Sequence, residues 1–175
     1  EIDWGSAEAG FNGARLHLSS SLANGKIELT NAIDLGVATE ELIERVVEVA
    51  DNPNSDDDYS EISGAISSPD LKFVTENGPG DGGLLVLSGA NTFPTLSIRE
   101  GAVQAEFGQG ISNDANLEFD GGNGNRQAVW VGSGTFNRSI GTAGGEVSWV
   151  DPGGFGARGG DLTVTLNGNA VLDCE

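Results

Sequence analysis

The stretch Leu84-Leu85-Val86-Leu87-Ser88-Gly89-Ala90-Asn91-Thr92-Phe93 decides the fold. Four aliphatic residues closed by a Ser-Gly-Ala-Asn turn read as a short strand buried on both faces, because a helix needs a longer periodic run. The same grammar repeats on either side. Lys26-Ile27-Glu28-Leu29-Thr30, Thr95-Leu96-Ser97-Ile98-Arg99, Asn116-Leu117-Glu118-Phe119-Asp120 and Asp161-Leu162-Thr163-Val164-Thr165-Leu166 alternate apolar with polar. Between them sit Ala23-Asn24-Gly25, Gly121-Gly122-Asn123-Gly124 and Leu166-Asn167-Gly168-Asn169, whose Gly and Asn residues suit tight turns. The expectation is an all-β chain.

One segment competes. Thr39 to Ala50 carries helix formers behind Thr39 as an N-cap, with Leu42, Val46 and Val49 on one face. Ile43 to Val49 also reads as a strand, since β-branched residues dominate its end. Both readings stop at Asp51-Asn52-Pro53-Asn54-Ser55-Asp56-Asp57-Asp58, an acidic insertion with nothing apolar to bury, expected to be exposed and mobile.

Short, closely spaced strands can build a sandwich, a barrel or a solenoid. Glycine, 28 of 175 residues against a usual share of roughly 7%, is spread along the chain rather than confined to hairpins. Aromatics are sparse, and the inward positions are mostly Leu, Ile, Val and Ala. Stacked coils about 4.8 Å apart fill identical interior positions with such residues. A β-solenoid is therefore expected, with a β-sandwich as the alternative.

Leu84 to Phe93 resembles the signature of autotransporter-associated β-strand repeats, found in bacterial autotransporter passengers and large surface proteins. Leu96 to Gln104 is similar to that family's following strand. Asn31-Ala32-Ile33-Asp34-Leu35-Gly36 and Ile62-Ser63-Gly64-Ala65-Ile66-Ser67 are similar to segments that precede the signature, and Phe136 to Trp149 and Gly153 to Val164 to segments that follow it. The resemblance implies a right-handed parallel β-helix, extracellular or on a bacterial cell surface, with a stalk or display role and no catalytic residues. The lead-in Val74 to Leu84 is longer and more acidic than the family's, and Pro94-Thr95 departs from it.

Charge excludes further classes. Twenty-seven acids against eight bases give −19. Nucleic acid and anionic lipid need a basic face, so neither is an expected partner. No apolar run is long enough to span a bilayer, and no basic-plus-apolar signal segment opens the chain. Calcium takes six to eight oxygens, and Asp51, Asp56, Asp57, Asp58 and Glu61 are the candidates to supply them. Their spacing is neither that of an EF-hand nor that of a calcium-binding β-roll, and a solvated acidic loop is the simpler account. Asp120 to Asn125 is a second glycine turn of the same ambiguity. No cofactor is expected otherwise.

Paired carboxylates would suit a polysaccharide-cleaving β-helix, but these need a groove lined with aromatics. Trp4, Trp130 and Trp149 are far apart in sequence, and packing under coil ends explains them equally well. No enzyme is expected. His17 reads as a surface residue opposite Leu16 and Leu18, and Cys174 as a small hydrophobe. Asn137-Arg138-Ser139 fits a glycosylation sequon and reads equally as a turn.

Both ends begin and stop in mid-alternation. The end of the chain reads as if it continues into the beginning, as one unit of a tandem or head-to-tail array, with Ile2, Trp4, Val171 and Leu172 as the assembly surfaces. The expected function is that of a structural fibre or stalk module whose partners are further copies of itself. The alternatives are an adhesin module binding cell-surface carbohydrate and, third, a β-helical enzyme.

Overall fold

A computed structural model describes residues 1–5, 11, 13, 15–77, 82–122 and 127–169. The described strands form three walls. The short wall holds β1 (Ile2–Asp3), β4 (Ile33–Asp34) and β7 (Ile66–Ser67). The second holds β2 (Arg15–Leu18), β5 (Glu44–Val49), β8 (Lys72–Asn77), β10 (Thr95–Ile98), β12 (Asn116–Phe119) and β14 (Val147–Trp149). The third holds β3 (Ile27–Leu29), β6 (Ser60–Ile62), β9 (Leu84–Leu87), β11 (Gly101–Ala105), β13 (Ala128–Arg138) and β15 (Gly153–Leu166).

The chain visits the walls in a fixed order, and each strand pairs in parallel with the one a coil earlier. This is an all-β, parallel arrangement that fits a β-solenoid. The sandwich alternative fails on direction, because its sheets are antiparallel. Segment 39–50 resolves to strand: Leu42 N–H donates to Thr39 Oγ1 (3.1 Å), making a turn where a helix cap would have stood, and β5 follows.

Stacking makes rows of equivalent side chains. Ile2, Ile33 and Ile66 form one row. Leu16, Val47, Thr75, Ile98, Phe119 and Trp149 form another along the second wall. Ile27, Ser60, Leu85, Val103, Trp130 and Phe155 line the third. Most are buried and share one core, each full burial contributing about 1.5–3 kcal/mol. In β9 only Leu85 and Leu87 are buried. Leu84 and Val86 are half-buried, so the strand alternates after all, because the outer face of the third wall is partly open.

The short wall stops at β7, and after β9 the residues Ser88 to Phe93 continue the coil past it without a strand. Thr92 N–H bonds Ile66 O (2.9 Å). The buried Asn91 accepts from Ile66 N–H at Oδ1 (2.7 Å) and donates through Nδ2 to Gly110 O (2.8 Å). Its amide therefore bridges two coils where the backbone ladder has ended. Phe93 stacks on Phe73 with centroids 5.2 Å apart. At the preceding corner a Cβ on Gly64 would lie 1.9 Å from Asn31 O, and one on Gly89 2.2 Å from Gly64 O. Only glycine lets these corners stack at the pitch of the sheet.

Aromatic rings close both ends of the core. Trp4 packs on Phe11 and donates its indole N–H to Gly13 O (2.7 Å). Arg45 lies over the Trp4 ring and donates to Trp4 O and Leu35 O. Burial lowers the pKa of that guanidinium. At the other end Phe107, Trp130, Phe136 and Phe155 pack edge-on or stacked. Arg138 covers Phe107 at 4.2 Å and donates to backbone carbonyls, among them Ala115 O and Ser112 O. Burial pushes its pKa down to about 10, with the nearby Asp114 charge opposing the shift, so it stays charged at neutral pH. Trp4 and Trp130 thus pack under coil ends, whereas Trp149 is exposed.

Candidate functional site

The outer face of the second wall carries a lattice of charges. Arg99 donates to Glu44 (2.7 Å), Glu76 (2.9 Å) and Asp120 (3.0 Å). Arg15 pairs with Glu48 and Glu76, His17 Nδ1 with Glu48 (2.9 Å), and Lys72 with Glu118 (3.0 Å). Val46, Val74 and Ser97 form a buried column on this wall, and both valines lie outside the main core. Lys72 reaches from β8 to Glu118 on β12, and Arg99 from the end of β10 to Glu44 on β5, so both side chains span this wall. Burial works to raise the Glu76 carboxyl, but hydrogen bonds from Arg99 and Arg15 outweigh it and hold the pKa below the usual range. Hydrogen bonds that Arg99 donates to Glu44 first, then to Glu76 and Asp120, raise its pKa against the opposing effect of burial. The lattice is a wall fitting whose charges are mutually satisfied.

His17 is exposed, as its alternation predicted, and lines a shallow cleft with Glu48 and Ser19 to Ser21. Ser19 donates to Asp58 O (3.3 Å), and Ser20 Oγ accepts from Leu22 N–H (3.3 Å).

The acidic loop is more structured than its composition suggested. Asp58 is buried, and its Oδ2 accepts from Asn52 N–H (2.7 Å). Asn52 donates to Ala23 O (2.6 Å), and its own carbonyls accept from Asn54 N–H and Ser55 N–H. Asp56 and Asp57 are exposed, and Asp51 is half-buried. Glu61 stands apart on the third wall, accepting from Ser88 Oγ (2.6 Å) and Lys26 Nζ (2.9 Å). These two bonds, in that order, lower its pKa. Of the five calcium candidates, Asp51, Asp56 and Asp58 share one cleft of about 190 Å³, with Tyr59, Leu84 and Arg158. Among the described residues the group of three acids whose oxygens lie within 4.8 Å of one another is instead Glu1, Asp3 and Asp34, across the first two coils; Asp34 also accepts from Gly36 N–H (2.9 Å).

Arg158 reaches the cleft by an irregularity in β15. Ala157 pairs with Gly132, but Leu162 pairs with Gly134, so Arg158 to Asp161 stand opposite Ser133 alone and form a tongue. Arg158 donates to Gln104 and lies 5.6 Å over the Tyr59 ring.

Of the expected assembly residues, Ile2 is half-buried against Ile33, and Trp4 is 2% exposed with its surface spent on Phe11 and Arg45. Val171 and Leu172 lie outside the described residues, as do Cys174 and Asn123 to Arg126. Other residues, which the sequence reading did not assign to the assembly surfaces, mark the ends of the inward rows. Ile27 begins the row of Leu85 and Val103 yet is 44% exposed, and Trp149 ends the row of Ile98 and Phe119 at 38%. Val164, paired with the buried Phe136, is 37% exposed. No helix among the described residues is long and apolar enough to cross a membrane. No family model, no curated protein and no solved structure matches the chain.

Proposed function

We propose that the chain is a rigid structural module of a bacterial extracellular fibre or surface stalk, a right-handed parallel β-helix related to the autotransporter-associated repeats its sequence resembles. It lengthens by stacking the last coil of one unit on the first coil of the next, as separate copies or in tandem in one polypeptide. The carrying observation is that the inward rows run out into exposed Ile27 at one end and exposed Trp149 and Val164 at the other. Among the described residues, β3 and β15 are the edges of their wall and have paired neighbours on one side only. A coil placed on either edge would satisfy its open N–H and C=O groups and cover those side chains. The two edges differ, so the contact is heterologous and propagates as a line rather than closing into a dimer.

Analytical ultracentrifugation and electron microscopy across a concentration series test this. Growth into filaments of one width is expected, faster at 0.15 M than at 0.01 M salt because the charge of −19 is screened as the Debye length falls from about 30 to about 8 Å. Ile27→Glu and Val164→Glu should each stop growth while leaving the coils folded. A chain that stays monomeric at millimolar concentration overturns the reading.

A further inference from the structure

We infer that the cleft between the acidic loop and the β15 tongue binds a neutral sugar residue of a glycan. Two excursions that the coil does not need converge there. The second-to-third-wall corner ranges from Arg99 and Glu100 alone between β10 and β11 to eight residues, 19–26, between β2 and β3, and it is longest between β5 and β6, where it takes Ala50 to Tyr59. The tongue is likewise extra chain opposite Ser133. Four strand spacings separate β15 from β6 in the third wall, roughly 19 Å. The tongue and the Arg158 side chain together cross the outer face of β13, β11 and β9 to reach Tyr59. Extra chain on one face of a solenoid is where binding loops are placed.

The site is built before any ligand arrives. Asn52 pins the loop to Ala23 O, Asp58 is buried against the loop backbone, and Arg158 is held by Gln104. Its chemistry is mixed. Asp56, exposed on the loop, offers carboxylate oxygens that accept from paired hydroxyls. The Arg158 guanidinium offers donors for a ring or glycosidic oxygen. Tyr59 and Leu84 supply an apolar flank for the C–H face of a ring. A guanidinium within the lining counts against a divalent cation, which needs an unopposed shell of oxygens. At about 190 Å³ the cleft is smaller than the roughly 300–1,000 Å³ of drug-sized pockets, so it takes one ring rather than a long chain. It lies on a side wall, so it stays open in a stacked filament and recurs once per copy, which raises avidity for a glycan surface.

The test uses the whole chain, dilute enough to stay unstacked, so that it is independent of filament growth. Saturation-transfer NMR and calorimetry are run against a panel of neutral mono- and disaccharides, with calcium chloride and simple amines as separate arms. Saturable binding of at least one neutral sugar is expected, with transfer to its ring C–H protons. Asp56→Asn and Arg158→Gln should each weaken it about ten- to a hundredfold, since each removes a charged hydrogen-bonding partner. Asp56 is exposed on the loop, so its substitution leaves the unfolding midpoint in place even if that of Arg158 loosens the tongue. Binding of no sugar in the panel, binding indifferent to both substitutions, or binding of calcium or amines alone would each overturn the inference.

Discussion

Replacing Asn91 with alanine tests whether one side chain carries the coil past the end of the short wall. The amide satisfies Ile66 N–H and Gly110 O, both in a buried setting. Alanine leaves one donor and one acceptor without partners, each costing about 1–3 kcal/mol. The expected loss is therefore about 2–6 kcal/mol, a large share of a usual stability of about 5–15 kcal/mol. Urea titration followed by circular dichroism gives the total, and hydrogen exchange at the Ile66 amide gives its location. Asn91→Asp sharpens the result. It keeps the acceptor for Ile66 N–H but sets a carboxylate against Gly110 O. It should be the worse variant at pH 7 and should recover as the pH falls toward about 4, because burial against Gly110 O raises the folded carboxyl above its unfolded value near 3.9 and the protonated carboxyl can donate. A loss under about 0.5 kcal/mol, or unchanged protection at Ile66, would refute the bridging role.

Three further outcomes are expected. Gly89→Val should prevent the Gly64 and Gly89 corners from stacking and unfold the neighbouring coils, because its Cβ alone would lie 2.2 Å from Gly64 O; native-like hydrogen exchange in that variant would argue against it. Thr75→Val should stabilise the chain by up to about 1 kcal/mol, since its buried hydroxyl has no partner between Val47 and Ile98 and an apolar isostere removes an unmet polar group; a lower urea midpoint would count against it. Arg99→Met should cost about 2 kcal/mol at pH 7 by leaving Glu44, Glu76 and Asp120 facing one another. The Glu76 pKa is lower folded than unfolded, so its stabilisation is present above the unfolded value near 4.3 and is lost as pH falls through the folded value. The gap between wild type and variant should therefore narrow below about pH 4, and a gap independent of pH would contradict the lattice.

Much of this architecture was readable from alternation. Thr95 to Arg99 and Asn116 to Asp120 contain strands that bury the expected apolar residues, and Lys26 to Thr30 contains β3, where Ile27 stays exposed at the wall's edge. Direction and register were not readable, because parallel partners lie one coil apart and the coil has no constant length. It runs from Ile2 to Ile33 in one turn and from Leu85 to Val103 in another. A signal for register does exist. Leu29-Thr30-Asn31-Ala32-Ile33, Ile62-Ser63-Gly64-Ala65-Ile66 and Leu87-Ser88-Gly89-Ala90-Asn91 follow one pattern, and their strands pair in that alignment. Reading the three together would have exposed the glycine corners and marked Asn91 as the odd member. The Arg99 lattice depends on neighbours that only register supplies. The tongue lies in a Gly-rich run, Gly153 to Gly160, that carries no periodic pattern to break. The loop's acids were visible, but the burial of Asp58 follows from Asn52 and Ala23, which composition does not connect.

The hydrogen bonds between coils point along the stacking direction, and this sets how the molecule responds to being pulled. Under a force applied end to end every coil interface bears the same load, and the outermost coil, stacked on one side only among the described strands, peels away first. A coil rises about 4.8 Å along the stack. Once released, the chain from Leu85 to Val103 extends to about 60 Å, and that from Ile2 to Ile33 to about 105 Å. A stalk built this way would yield in unequal steps under drag, lengthening by an order of magnitude at each step, and would shorten again as coils re-dock on the template left behind.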